Sequence, residues 1–97
     1  MIRIGVIEDE ARMREEVCRY VEKTAGDFAE IQCRAYESAE QFLEENSEYE
    51  ILILDIRLPG INGIELGRIL RERGKDTKLL YLTSYAEYAA ESYLVEA

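Results

Sequence analysis

Ile51-Leu52-Ile53-Leu54 is apolar at every position and runs straight into Asp55. A run with no polar alternate has no face to give to water, so it suits a central parallel strand covered on both sides. The covering layers must then be helices, and the pattern supplies them in alternation. Met1–Ile7 carries Ile2, Ile4, Val6 and Ile7, a β-rich run stopped by Glu8-Asp9-Glu10. From Glu10 to Thr24, Met13, Val17, Cys18 and Val21 recur at helical spacing, with Arg12, Glu15, Glu16, Arg19 and Glu22 on the other side, predicting an amphipathic helix that closes near Gly26. Ile31, Cys33 and Ala35 alternate with Gln32 and Arg34 as a half-exposed strand.

Ser38 and Gln41 form a capping box for a helix ending near Glu45. After the apolar strand, Pro59, Gly60 and Gly63 punctuate a loop, Asn62 with Glu65 opens a helix over Ile64 to Arg73, and Gly74 follows as its C-terminal cap. Leu79-Leu80-Tyr81-Leu82 predicts a fourth strand, and Ser84 with Glu87 caps a fourth helix from Tyr85 to Tyr93. The resulting β-α-β-α-β-α-β-α order implies right-handed crossovers and an α/β fold with a parallel sheet. Ninety-seven residues close one hydrophobic core, so a single domain is expected over residues 1–97.

Composition removes whole classes of chemistry. The chain has no histidine, which excludes Ser-His and Cys-His nucleophile pairs and the commonest transition-metal ligand. Cys18 and Cys33 stand apart from any CxxC or Cys/His grouping and read as core thiols of a reducing compartment. A net charge of -9 repels nucleic-acid phosphate and anionic lipid, so this chain is expected to bind neither nucleic acid nor membrane by itself. No charged-then-apolar leader opens the sequence, and the cytoplasm is the expected compartment. GxGxxG and GxxxxGK[ST] are both absent.

In open parallel sheets, reactive groups gather at the carboxyl ends of the strands, where the winding reverses. Glu8-Asp9, Asp55 and Thr83-Ser84 occupy those ends. Carboxylates brought together there repel one another and call for a cation, and an all-oxygen site selects a hard one, with Mg²⁺ the best fit. A carboxylate so placed can also attack phosphorus to form an acyl phosphate. Each residue has a blander reading: Asp55 as a turn residue, Glu8 and Asp9 as first-turn acids favoured by a helix dipole, Ser84 as a helix cap. The coincidence of three strand ends favours a site.

The segments Ile4–Glu10 (IGVIEDE), Ile51–Gly63 (ILILDIRLPGING) and Leu79–Ser84 (LLYLTS) together resemble the receiver domain of bacterial two-component response regulators. The resemblance implies a flavodoxin-like (CheY-like) sheet of order 2-1-3-4-5. It implies Asp9 as a direct Mg²⁺ ligand, Glu8 as its outer partner, Asp55 as phosphoacceptor and ligand, the Arg57 carbonyl as a third ligand, and Thr83 as the switch hydroxyl. Pro59 and Gly63 then shape the loop. A sensor histidine kinase becomes the partner, switching a transcriptional output domain. The tail TSYAEYAAESYLVEA further resembles the subfamily joined to LytTR-type DNA-binding domains.

Family receivers continue into a fifth strand, a lysine loop and a fifth helix, so the domain is expected to be incomplete at Ala97, with strand order 2-1-3-4. A bare fourth strand predicts self-association through strand four and helix four, with Tyr81, Tyr85, Tyr88 and Tyr93 gaining burial. Two rivals stand beside this reading. A phosphohydrolase of the aspartyl-phosphate class wants an acid two residues beyond Asp55, where Arg57 stands. The alternative is a phosphorylation-independent, receiver-like interaction module.

Overall fold

The computed structural model describes residues 1–25, 27 and 30–82. Seven elements alternate as anticipated: β1 (Ile2–Ile7), α1 (Ala11–Ala25), β2 (Ile31–Tyr36), α2 (Ala39–Glu45), β3 (Ile51–Asp55), α3 (Gly63–Glu72) and β4 (Lys78–Leu82). The strands form one sheet in the order β2-β1-β3-β4, and every pairing is parallel. Thr83, Ser84 and the expected fourth helix, with Tyr85, Tyr88 and Tyr93, lie outside the described residues, as does Gly26.

Helix ends follow the local signals closely. Ser38 accepts the Gln41 N–H at 3.0 Å, while the Gln41 side chain reaches back past the cap to the Glu37 N–H at 2.9 Å. Asn62 and Glu65 form the reciprocal box, each side chain accepting the other's backbone N–H at 2.8 and 3.1 Å. At the far end of α3, Gly74 takes φ +74°. Its N–H donates to Arg71 O and that of Lys75 to Leu70 O, the paired bonds of a Schellman turn. The end of α2 was less legible, since Asn46 takes the left-handed position at φ 52° where no glycine marks it.

The principal core lies between the sheet and the layer of α2 and α3. Ile7, Leu52, Leu54, Leu66 and Leu79 are fully enclosed there, with Tyr36, Phe42, Tyr49, Leu58 and Leu70 around them. Tyr36 and Tyr49 are admitted because their hydroxyls bond each other at 2.6 Å and Tyr36 also donates to Glu45 at 3.0 Å. On the opposite face, where α1 lies against β1 and β2, Val21, Ile4 and Val6 are buried.

Three expectations are corrected. The 51–54 run is not equally buried on both sides, for Leu52 and Leu54 are enclosed while Ile51 and Ile53 are half-buried. The contacts of α1 fall mainly on β2 and β1, which leaves Ile51 and Ile53 the less covered side of β3. The apolar stripe of α1 is likewise only partly used: Val21 is buried, but Met13 is 40% exposed. Finally, Tyr81 does not stand ready for a partner chain. It is 4% exposed, packs against α3 over Gly67 and donates its hydroxyl to Gly63 O at 3.1 Å, so it can gain no burial by self-association.

Candidate functional site

Register builds the site. Ile7 of β1 is opposite Leu54 of β3, so the residues that follow them, Glu8 and Asp55, emerge side by side at the carboxyl edge of the sheet. The Glu8 N–H is still tied to Tyr36 O at 3.0 Å, which holds the acid at the strand end. Asp55 is in turn level with Leu82, the last described residue of β4.

Glu8 is a buried acid, 8% exposed, among a core that is otherwise apolar. Burial pushes its carboxyl up to about 7, and the nearby negative charges of Asp55 and Asp9 push in the same direction. Sequence pattern had paired these acids; the structure adds that Glu8, rather than the exposed Asp9, is the one withdrawn from water. Asp55 is half-buried, and its Oδ1 accepts the Arg57 N–H at 3.2 Å. That bond folds the start of the β3–α3 loop back over the carboxyl, bringing Arg57 to the rim, where it is exposed.

Gly63 explains why α3 can begin so close to Asp55. A Cβ there would stand 3.0 Å from Ile56 Cα and 3.1 Å from Asp55 C, and closer still to Asp55 O. Its N–H donates to Ile56 O at 2.9 Å. Arg14 is a site neighbour that no sequence signal marked: its guanidinium reaches from α1 to the carbonyls of Glu8 at 2.8 Å and Asp9 at 3.5 Å. The β1–α1 turn is thereby tied down at the edge where the acids gather.

Among the described residues, no three acidic or thiol side chains are placed to hold a metal ion by themselves. The arrangement is instead two carboxyls side by side at the sheet edge, Glu8 and Asp55, with the charge of Asp9 close enough to act on Glu8. Mg²⁺ asks for no more than one or two carboxylates, a carbonyl and several waters, so the donors present fit it. The crowding of acids also gives the site a reason to take a cation. Thr83 follows directly on Leu82 in sequence and lies outside the described residues.

Residues 4–97 match the family model described as the response regulator receiver domain. This chain belongs to the response regulator receiver domain family. The receiver is 34% identical over 100 residues to the sensory transduction protein LytT of Oceanobacillus iheyensis, spanning 99% of this chain and 39% of that protein. It is 36% identical over 87 residues to the transcriptional regulatory protein ResD of Bacillus subtilis, spanning 90% of this chain and 35% of that protein. The receiver therefore covers well under half the length of these curated relatives.

Among solved structures, the receiver is similar to the response regulator TrrA of Thermotoga maritima in complex with Mg²⁺-BeF, with a TM-score of 0.78 at 30% identity over 96% of this chain and 78% of that one. A complex of the histidine kinase ThkA with TrrA matches with a TM-score of 0.74 at 32% identity, over 91% and 73% of the two chains. The parallel β2-β1-β3-β4 sheet of the receiver is that of the flavodoxin-like class. No helix among the described residues is long and apolar enough to cross a membrane.

Proposed function

We propose that Asp55 is the phosphoacceptor of this receiver and that a sensor histidine kinase is its donor. The observation that carries the reading is the placement of Glu8 and Asp55 side by side at the carboxyl edge of the sheet, with Asp9 next to Glu8 in the chain. The complex of a similar regulator with its kinase supports the choice of donor.

In this reading an Asp55 carboxylate oxygen attacks the phosphorus of a phosphohistidine. The P–N bond breaks as the new P–O bond forms, the imidazole leaves, and an acyl phosphate remains on Asp55. Asp9, Asp55 and the Arg57 carbonyl would hold Mg²⁺, with Glu8 as outer partner. Bound there, the ion neutralises charge on the attacking carboxylate and the incoming phosphoryl group. The Arg57 N–H holds Asp55 by one oxygen and so orients the carboxyl. Arg14 fixes the backbone from which Glu8 and Asp9 project.

Thr83 would supply the hydroxyl that turns toward the phosphoryl group, and the charge change would bias the surface that follows β4. The domain assists its own phosphorylation and dephosphorylation without being an ordinary turnover enzyme. Output through a LytTR-type DNA-binding domain is proposed on the likeness to LytT, and control of transcription from the cytoplasm on the likeness to the transcriptional regulator ResD.

Titrating the chain with Mg²⁺ and then beryllofluoride, a phosphoryl mimic, tests this. Mg²⁺ at a hundred times its dissociation constant is expected to stabilise the fold by about 2.7 kcal/mol. Beryllofluoride is expected to shift amide resonances around Asp55 in the wild type and not in Asp55→Asn. A chain that ignores both additions refutes the proposal and leaves the phosphorylation-independent interaction module as the reading to keep.

A further inference from the structure

The loop between β3 and α3 carries Arg57 and is held at both ends, by the Arg57 N–H on Asp55 and by the Gly63 N–H on Ile56 O. Leu58 is buried and pins its first half. The stretch from Pro59 to Ile61 projects outward, with Pro59 and Gly60 exposed and Gly60 at φ +73°. From α2, the Glu40 carboxylate reaches this stretch. Its Oε2 accepts the Ile61 N–H at 3.0 Å, from a residue 21 positions away in sequence. The carboxylate lies so close over Gly60 that a Cβ there would stand 3.1 Å from the Glu40 carboxyl carbon and nearer still to Oε2. Gly60 thus answers two demands, a positive φ and room for an acid from another element.

Glu40 is well mounted for such a task. It sits in the first turn of α2, behind the Ser38 cap, and its neighbours Ala39 and Phe42 are buried in the core. The helix backbone is therefore fixed, and the side chain transmits that fixed position to the loop. We propose that Glu40 is a positioning residue: by clamping Ile61 over Gly60 it holds the β3–α3 loop, and hence the Arg57 carbonyl, in the arrangement that binds Mg²⁺. The inference rests on the reading of Asp9, Asp55 and the Arg57 carbonyl as ligands, and adds a residue of α2 that touches neither ion nor phosphoryl group.

Two substitutions separate the bond from the charge. Glu40→Gln removes the charge and keeps an oxygen able to accept the Ile61 N–H, whereas Glu40→Ala removes both. Each loses equally the favourable placement of an acid in the first turn of α2, so that term cancels between them. Mg²⁺ affinity is read from amide shifts, and loop order from hydrogen exchange at Ile61. In Glu40→Ala the dissociation constant for Mg²⁺ is expected to rise on the order of fivefold, the worth of one hydrogen bond, and exchange at Ile61 to quicken. Glu40→Gln is expected to stay within about twofold of the wild type in both readings.

Wild-type affinity in Glu40→Ala overturns the clamp, as does unchanged exchange at Ile61. A Glu40→Gln as weak as Glu40→Ala also overturns it, because the effect would then belong to charge. Asp55→Asn distinguishes the two levels of failure. If it abolishes Mg²⁺ binding while Glu40→Ala does nothing, the clamp alone is wrong; if the wild type itself binds no Mg²⁺, the ligand reading falls and the clamp with it.

Discussion

Replacing Gly63 with alanine sets two physical effects against each other. Gly63 is the first residue of α3, and its φ is not in the left-handed region, so the backbone itself tolerates a side chain. Helix propensity alone therefore favours alanine, by roughly 0.5–1 kcal/mol in a helix interior. Space decides otherwise. The new methyl would press on the carbonyl of Asp55 and on Ile56 Cα, which is backbone and cannot rotate aside.

Restoring ordinary contact requires α3 to back off by about 1 Å, given carbon contacts of about 3.5–4.0 Å at best. Overpacking of this kind costs about 1–3 kcal/mol. Two bonds are stretched by the same movement, from Gly63 N–H to Ile56 O and from Tyr81 to Gly63 O. We expect a net loss of about 1–2 kcal/mol, which lowers the urea midpoint by about 1 M at a slope of about 1–2 kcal/mol per M. Mg²⁺ affinity falls as well, because the displaced backbone is that of the site. Gly74→Ala is the control: its φ of +74° makes alanine unfavourable, yet nothing lies within 4 Å of the added methyl. It should lose about 1 kcal/mol and leave Mg²⁺ affinity untouched. A Gly63→Ala chain as stable as the wild type, or more so, refutes the steric argument.

Two further outcomes follow from the buried groups. Tyr81→Phe removes the second donor to Gly63 O, which keeps only its partner within α3, so urea unfolding should show a loss of about 0.5–1.5 kcal/mol, and an unmoved midpoint would contradict it. Cys33 is pushed up by burial, and then by the neighbouring Cys18 thiol, from 9.0 to about 12. Its raised value favours the protonated thiol in the fold, so this contribution is complete below pH 9 and is lost as pH rises toward 12. At pH 8 a thiol-reactive probe, followed by peptide mapping, should modify Cys33 more slowly in the folded chain than in urea, and equal rates would count against this.

Much of the scaffold could be read from short-range chemistry. The Asn62–Glu65 box, the Ser38 cap and the Gly74 turn all involve residues within a few positions of one another, and they form as the pattern indicates. The order of strands and helices, and the gathering of Glu8 and Asp55 at strand ends, follow from where apolar runs stop. The same reasoning misjudged the degree of burial on the α1 face and the direction of Tyr81. Both depend on which helix covers which strand.

The linear chain by itself thus determined the elements, their parallel arrangement and the acids at their ends, because periodicity and capping act over single turns and single strands. Only the assembled structure decided that Glu8 is the buried acid beside Asp55, that Arg14 holds the backbone of Glu8 and Asp9, that Gly63 lets α3 press on Asp55, and that Glu40 reaches the loop beyond Pro59. Most of these join groups on different elements. Their distances are set by strand register and by the seating of helices on the sheet, which no local pattern encodes.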